Sequence, residues 1–147
     1  FFINDKRQGI KKIYYKNGNI KTLMPYKNDT ITGTVITYSA DTILFSKTMM
    51  RVSKKHGLRM LFYKSGILKE QYVYVQGTLH GLAQMYYKDG AIKMEKPYVD
   101  GQLDGQMVIY YENGNIKQKI MYHQGVEKGQ KEWYNARGQR IKTMKIP

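Results

Sequence analysis

The stretch "GLAQMYYKDGAIKMEKPYVDGQLD", residues 81–104, decides the fold because much of it is repeated elsewhere in the chain. Its central part, "YYKDGAIK" at 86–93, returns as "YYKNGNIK" at 14–21, "FYKSGILK" at 62–69 and "YYENGNIK" at 110–117. A catalytic motif is normally needed once, whereas a copied motif marks a structural unit that stacks on its neighbours. The copies therefore predict a repeat protein.

The period of the repeat is 24 residues. It is marked by evenly spaced glycines, which we number as position one of each repeat: Gly9, Gly33, Gly57, Gly81, Gly105 and Gly129. Position six is aromatic every time: Tyr14, Tyr38, Phe62, Tyr86, Tyr110 and Tyr134. The period predicts a lead-in of residues 1–8 followed by one repeat domain, 9–147. The domain divides into 9–32, 33–56, 57–80, 81–104, 105–128 and a shorter 129–147.

Each repeat contains two short runs rich in aromatic and β-branched residues, typical of strands. Turn signals such as "KDG" separate them within a repeat, and signals such as "VDGQLDG" separate the repeats. Gly, Asn and Asp tolerate the left-handed backbone of tight hairpins, so the pattern predicts strand, tight turn, strand, looser turn. The predicted fold is all-β: an elongated single-layer antiparallel meander of stacked β-hairpins, about six repeats advancing roughly 9–10 Å each.

Large residues at positions five and six fall on opposite faces of a strand. A flat sheet with two apolar faces would be poorly soluble. We therefore expect a twisted and curled sheet whose concave face is largely closed by its own side chains.

Two repeats depart from the pattern. Repeat 33–56 reads "TYSADTILFSK" in the middle, which lacks the turn glycine and places Phe45 where Lys normally stands. The repeat is degenerate or carries a local contact, and the sequence gives no capping explanation for it. In repeat 129–147 the residue Ile141 falls one place later than its counterparts, which predicts a last turn longer by one residue.

The composition limits the kinds of partner that the protein can be expected to bind. The 147 residues include 25 Lys and Arg against 11 Asp and Glu, a formal net charge of +14, and no Cys. Such a surplus favours an anionic partner, namely nucleic acid, a phospholipid surface or an acidic protein. The alternative is that Lys only solubilises a β-rich surface and protects strand edges. The chain starts "FFINDKRQG" without Met, from which we expect a trimmed or processed chain, with an exported or envelope-associated protein as one interpretation.

The titratable residues do not form a catalytic pattern. His56 and His80 share position twenty-four of adjacent repeats, but no further His or Cys joins them, and a zinc site needs three or four ligands. Asp100 and Asp104 flank one loop and supply fewer oxygens than calcium requires. The sequence predicts a protein that is not an enzyme and that uses no metal or cofactor. An enzyme would need a cluster of titratable groups that the sequence does not display.

The candidate binding residues are columns of Lys and Tyr. An anionic-surface site is predicted from position thirteen and from the mid-repeat turns: Lys21, Lys69, Lys93, Lys117, Lys16, Lys64 and Lys88. Exposed aromatic contacts are predicted from position seven: Tyr15, Tyr63, Tyr87 and Tyr111. The alternatives are a solvated strand edge for the lysines and sheet packing for the tyrosines. Nucleic acid is disfavoured as a partner because Arg is sparse and no known module fits.

The unit 81–104 resembles the MORN repeat in its bacterial variant form, which looks like Gly, then Tyr-Tyr-x-x-Gly-x-hydrophobic-Lys, then a strand ending in Tyr. The resemblance covers 9–147 and is strongest over 57–128. It implies an elongated sheet of β-hairpins with a groove, and binding or scaffolding rather than catalysis. Relatives of this type are associated with phospholipids, protein contacts or dimerisation, and bacterial variant members carry an antitoxin label.

These observations predict a scaffold that binds a protein partner, with an acidic protein as one candidate. Its specific form would be an antitoxin-like or cell-envelope interaction module. The alternative is peripheral binding to anionic phospholipid membranes through the Lys columns. Open strand edges also make self-association an expectation.

Overall fold

The chain folds entirely into β-strands and turns in a computed structural model that describes residues 1–147. No helix has the length and apolar character needed to cross a bilayer. The seventeen strands are β1 (Phe2–Ile3), β2 (Lys6–Arg7), β3 (Gly9–Tyr14), β4 (Ile20–Lys27), β5 (Thr30–Ile31), β6 (Gly33–Tyr38), β7 (Leu44–Arg51), β8 (Lys54–Phe62), β9 (Leu68–Val75), β10 (Thr78–Leu79), β11 (Gly81–Tyr86), β12 (Ile92–Val99), β13 (Gln102–Leu103), β14 (Gly105–Tyr110), β15 (Ile116–His123), β16 (Val126–Tyr134) and β17 (Arg140–Ile146).

The strands form one long meander. From β3 to β17 every long strand pairs antiparallel with the strand before and after it in the chain, and the short strands β5, β10 and β13 pair with β4, β9 and β12. The sheet is not closed, because β3 and β17 lie at opposite ends of the strand order. The predicted all-β meander of hairpins is confirmed.

The order of tight and looser turns is the reverse of the prediction. The connection between repeats is a two-residue turn, in which Asp100 and Gly101 have φ values of 47° and 85°, as a type I′ hairpin requires. The mid-repeat turn is longer. It is closed by the Tyr87 N–H donating to the Ala91 carbonyl at 2.8 Å, and Gly90 takes a φ of 95°. The extra glycines of the junctions look like a loose loop in sequence, but they allow the tighter turn.

The last turn is not longer than the others, so that prediction is wrong. Tyr134 pairs with Arg140 just as Tyr110 pairs with Ile116. The Asn135 N–H donates to the Gln139 carbonyl at 2.9 Å, the same closure as in the other repeats. Turn hydrogen bonds fix the register, and Ile141 is simply an apolar residue at position thirteen, 64% exposed.

The expectation of a face closed by its own side chains is also wrong. No large side chain is fully buried. Only six residues are buried at all: Thr22, Ser46, Ala83, Met107, Val108 and Ile120. A single-layer sheet has no second layer to cover either face, so nearly all residues stay half-buried or exposed. Stability therefore comes from strand pairing within each repeat and from contacts between successive repeats, as in other quasi-one-dimensional arrays.

Backbone hydrogen bonds join the repeats along the junction edge of the sheet. At each junction the residue at position twenty-one donates its N–H to the carbonyl at position twenty-three of the preceding repeat, for example Gly101 to Leu79 at 2.8 Å. Residues 1–8 take part in the same pattern. Strands β1 and β2 form a hairpin, and the Arg7 carbonyl accepts the Asp29 N–H at 3.1 Å. The lead-in is thus stacked on the array in the same way as the junctions.

Candidate binding face

The tyrosines at position seven join consecutive repeats along the mid-repeat edge. The Tyr87 hydroxyl donates to the Tyr110 carbonyl at 2.7 Å, and the other three position-seven tyrosines make the same bond to the next repeat at 2.8–2.9 Å. Their rings are half-buried. The expectation that Tyr15, Tyr63, Tyr87 and Tyr111 are exposed is therefore corrected. Each tyrosine is only partly exposed, and its hydroxyl is hydrogen-bonded within the sheet.

The lysines at position thirteen lie over those rings. In repeat 81–104 the pairing passes from Met85 with Met94 to Tyr86 with Ile92, so Lys93 has no partner residue and forms a β-bulge. Bulges re-aim side chains, and the Lys93 Nζ lies 5.4 Å from the centroid of the Tyr87 ring. The other pairs are similar, at 5.4, 5.9 and 5.4 Å: Lys21 with Tyr15, Lys69 with Tyr63 and Lys117 with Tyr111.

These four exposed ammonium groups, each over a half-buried ring, define what we call the Tyr–Lys face. A cation above an aromatic ring is attracted by the ring quadrupole, by about 0.5–1 kcal/mol at exposed sites. The pairing favours an orientation in which each ammonium group lies over its ring. Both columns are visible separately in the sequence. No residue in the sequence indicates that the bulge places the lysines over the tyrosine rings.

The positive charge of the face is largely unneutralised. Of its four lysines only Lys69 has a carboxylate within 4 Å, from Glu70 at 3.6 Å. Three further lysines lie in the adjoining mid-repeat turns, all exposed and without an ion pair: Lys16, Lys64 and Lys88. The predicted lysines thus share one edge of the sheet, where they can attract a negatively charged surface.

Repeat 33–56 interrupts the face. Ser39 occupies position seven, where it is too short to reach the next repeat, and its hydroxyl instead accepts the Ile43 N–H at 3.2 Å. Phe45 occupies position thirteen and is 52% exposed. Open concavities of about 420 and 290 Å³ lie on the two sides of the Phe45 ring.

A hydrogen-bonded network on the other face joins repeats 57–80, 81–104 and 105–128. Gln71 donates to Gln84 at 2.6 Å, Gln84 donates to Glu95 at 2.8 Å, and the Tyr110 hydroxyl donates to Glu95 at 2.8 Å. Burial and the hydrogen bond to the Glu95 carboxylate raise the pKa of Tyr110 to about 12. This network was not predicted from the sequence. The only sequence feature that indicates it is the polar residue type at positions four and fifteen.

The histidines do not assemble a site. His56 accepts a hydrogen bond from the Gln76 N–H at 3.4 Å, while His80 and His123 pair with Asp100 and Asp104 at 3.5 and 3.4 Å. No group of three or more His, Cys, Asp or Glu side chains is arranged to hold a metal ion. What the surface offers chemically is cationic attraction and aromatic contact.

Comparison with protein families identifies the array. The MORN repeat variant family matches residues 7–28, 55–76, 79–100 and 103–124, more than half of the chain. The chain belongs to this family. The last three matches start 24 residues apart, and the gap between the first and second contains most of the irregular repeat 33–56. A comparison with curated proteins finds no match. MORN repeat proteins are generally non-catalytic binding modules, and the chain has the architecture of a repeat scaffold.

Proposed function

We propose that the chain is a non-catalytic scaffold that binds an acidic protein partner through the Tyr–Lys face. The observation that carries the proposal is the geometry of that face. Its ammonium groups are held over tyrosine rings, and they follow each other at about 10 Å or a multiple of it. A row of cations at fixed spacing suits a partner that presents carboxylates at a fixed spacing.

A protein partner fits the face better than a fluid surface does. Binding to lipid headgroups requires only net positive charge on the protein. This face also has half-buried tyrosine rings, and it is interrupted by the apolar side chain of Phe45. Electrostatic complementarity would bring the partner in and fix its register. An antitoxin-like or cell-envelope interaction module is the specific form of this proposal.

Peripheral binding to anionic phospholipid is the second candidate. It is supported by the unpaired lysines of the face and turns and by the net charge of +14. Each lysine near an anionic leaflet contributes about 1 kcal/mol, an attraction that falls off within a Debye length. Membrane binding of this type would therefore disappear at high ionic strength.

The test is a pull-down from lysate of the source cells, with solubilised membranes included and washes at low and moderate salt. The proposal expects one protein to survive the moderate-salt wash, identified by mass spectrometry. Recovery of anionic lipid that is lost as salt rises would select the membrane candidate, and recovery of the chain itself would reveal self-association. Absence of any partner at every salt concentration would contradict both candidates.

A charge-reversal variant locates the surface. In K69E/K93E/K117E the three lysines of the regular repeats change sign, and binding of the recovered partner should fall at least about tenfold. The matched control, K27E/K54E/K128E, changes net charge by the same amount at exposed lysines outside the face. Equal loss in the two variants would show that net charge, and not the face, is responsible.

A further inference from the structure

We infer that the concavities beside Phe45 form a docking site for one aromatic side chain of an acidic peptide segment. The site would fix where the partner sits along the face. The inference rests on the proposed function and deepens it, because it names the chemistry of the segment and the repeat that receives it.

The first concavity has aromatic walls and a hydroxyl floor. The rings of Tyr15 and Phe45 line its sides, and Thr22 and Thr37 lie beneath, with Thr22 only 6% exposed. Its volume of about 420 Å³ lies toward the lower end of the roughly 300–1,000 Å³ typical of ligand pockets. Aromatic rings favour offset or edge-to-face contact with another ring, so these walls suit an aromatic side chain.

The second concavity continues the first across the Phe45 ring. It is lined by Leu61, Phe62 and Tyr63 from the next repeat, and its volume is about 290 Å³. Ser39 and Phe45 border both spaces. A peptide that inserts a ring on one side of Phe45 and continues across it would therefore contact all three repeats, 9–32, 33–56 and 57–80.

The space exists because repeat 33–56 is built from smaller side chains at this point. Thr37 and Ser46 occupy positions five and fourteen, where repeat 81–104 has Met85 and Met94. The Thr37 and Ser46 hydroxyls hydrogen-bond to each other at 2.6 Å, and the structure has no buried polar side-chain atom without a partner. An apolar group can therefore cover the Thr37 part of the floor without breaking this hydrogen bond.

The charge at the rim selects an acidic segment. The residues lining the two concavities include Lys21, Lys64 and Lys69 and no Asp or Glu. Lys21 and Lys69 stand on opposite sides of Phe45, one in the preceding and one in the following repeat. In a peptide whose aromatic residue is flanked by carboxylates on both sides, those carboxylates can reach both lysines.

The probes are two acetylated and amidated pentapeptides, Asp-Glu-Phe-Glu-Asp and its alanine counterpart Asp-Glu-Ala-Glu-Asp, titrated into the full chain by calorimetry. The phenylalanine peptide should bind about 3- to 10-fold more tightly, which is the range expected for one aromatic pair. In F45A that ratio should fall, since one wall is removed.

The sharper variant is S39Y/F45K, which gives repeat 33–56 the tyrosine and lysine of its neighbours and adds one positive charge. Affinity for the alanine peptide should hold or rise while the ratio falls to about one. The control V126K adds the same single positive charge at an exposed apolar residue outside the Tyr–Lys face and should keep the ratio, because the site beside Phe45 is untouched.

Equal affinity of the two peptides for the unaltered chain would overturn the inference, and so would an affinity ratio that stays the same in S39Y/F45K. Neither result would contradict the scaffold proposal, which is tested separately by the pull-down. A ratio lost equally in V126K would overturn the placement beside Phe45. Failure of both peptides to bind would also overturn it, and the outcome of the K69E/K93E/K117E variant then judges the scaffold proposal separately.

Discussion

Repeats 81–104 and 33–56 share one backbone path but differ in how well their residues suit it. In 81–104 the left-handed turn positions are held mainly by Gly90 and by Asp100 with Gly101, residues that tolerate positive φ. In 33–56 the same positions fall on Thr42, at a φ of 65°, and on Val52 and Ser53, at 48° and 59°. A β-branched residue there is strained, at a cost of roughly 1–2 kcal/mol.

The two repeats also differ in their links to the next repeat. Tyr87 donates a hydrogen bond to repeat 105–128, whereas Ser39 makes no such bond to repeat 57–80. Strain, the missing link and the exposed Phe45 ring therefore fall in the same 24 residues. Local departures from a consistent pattern tend to mark functional or strained sites, and here the neighbours on both sides hold the irregular unit in place.

The largest effect is expected from buried packing in the regular repeats. Ile120, 4% exposed, should cost about 2–4 kcal/mol of unfolding free energy when replaced by Ala, because a cavity adds to the lost transfer energy. Its counterpart Thr48 is only half-buried, and T48A should cost less than about 1 kcal/mol. Chemical denaturation measures both. Equal losses would mean that repeat 33–56 packs as well as repeat 105–128.

Relief of turn strain comes next. V52N should stabilise the chain by about 1 kcal/mol, because Asn tolerates the left-handed region that Val does not. The reverse change N28V, at the equivalent position of repeat 9–32, should destabilise by a similar amount. Thermal melts of the two variants give the sign directly. Destabilisation by V52N would show that Val52 makes a contact worth more than its strain.

The tyrosine link between repeats should have a smaller effect. Y87F leaves the Tyr110 carbonyl without its side-chain donor and should cost about 0.5–1.5 kcal/mol. Y14F is the control, since the Tyr14 hydroxyl makes no hydrogen bond within the protein and its ring is 53% exposed. If Y87F melts like Y14F, the hydroxyl bonds do not join the repeats in solution.

The smallest effect is a loss of stability at alkaline pH from the Tyr110–Glu95 hydrogen bond. The pKa of Tyr110 is raised from 10.0 to about 12 in the folded chain, so its contribution is complete below pH 10 and is lost as pH rises toward 12. Y110F should be less stable than the parent at neutral pH, and the difference should shrink over that window. The equivalent pair in the irregular part is Lys47 and Phe62, which has neither a carboxylate nor a phenol hydroxyl.

A difference between the parent and Y110F that stays constant from neutral pH to pH 12 would contradict the assignment. Other tyrosines with raised pKa values, such as Tyr98, titrate in both proteins and cancel in the comparison.

Much of the fold could be predicted from the sequence because a 24-residue period repeats the same information six times. Turn lengths could not, since a junction such as "VDGQLDG" allows either a loose loop or a two-residue turn, and only the pairing of Val99 with Gln102 selects the second. The lack of cover on both faces was missed because the alternation of apolar positions says which face a residue joins, not whether anything covers it.

The candidate site was predictable in its parts. The Lys and Tyr columns are visible as spacing, but their contact depends on a bulge that leaves Lys93 unpaired, and a bulge has no residue signature here. The concavities depend on the combined small size of Ser39, Thr37 and Ser46, which in sequence resembles simple degeneration of the repeat.

Residue-resolved amide hydrogen exchange tests most directly whether repeat 33–56 is the weak unit of the array. In a stacked array an internal repeat is normally better protected than the ends. We expect a local minimum of protection across 33–56, below both 9–32 and 57–80, that is lost in a chain carrying S39Y, F45K and V52N. Protection that rises smoothly from both ends to the centre of the parent chain would contradict it.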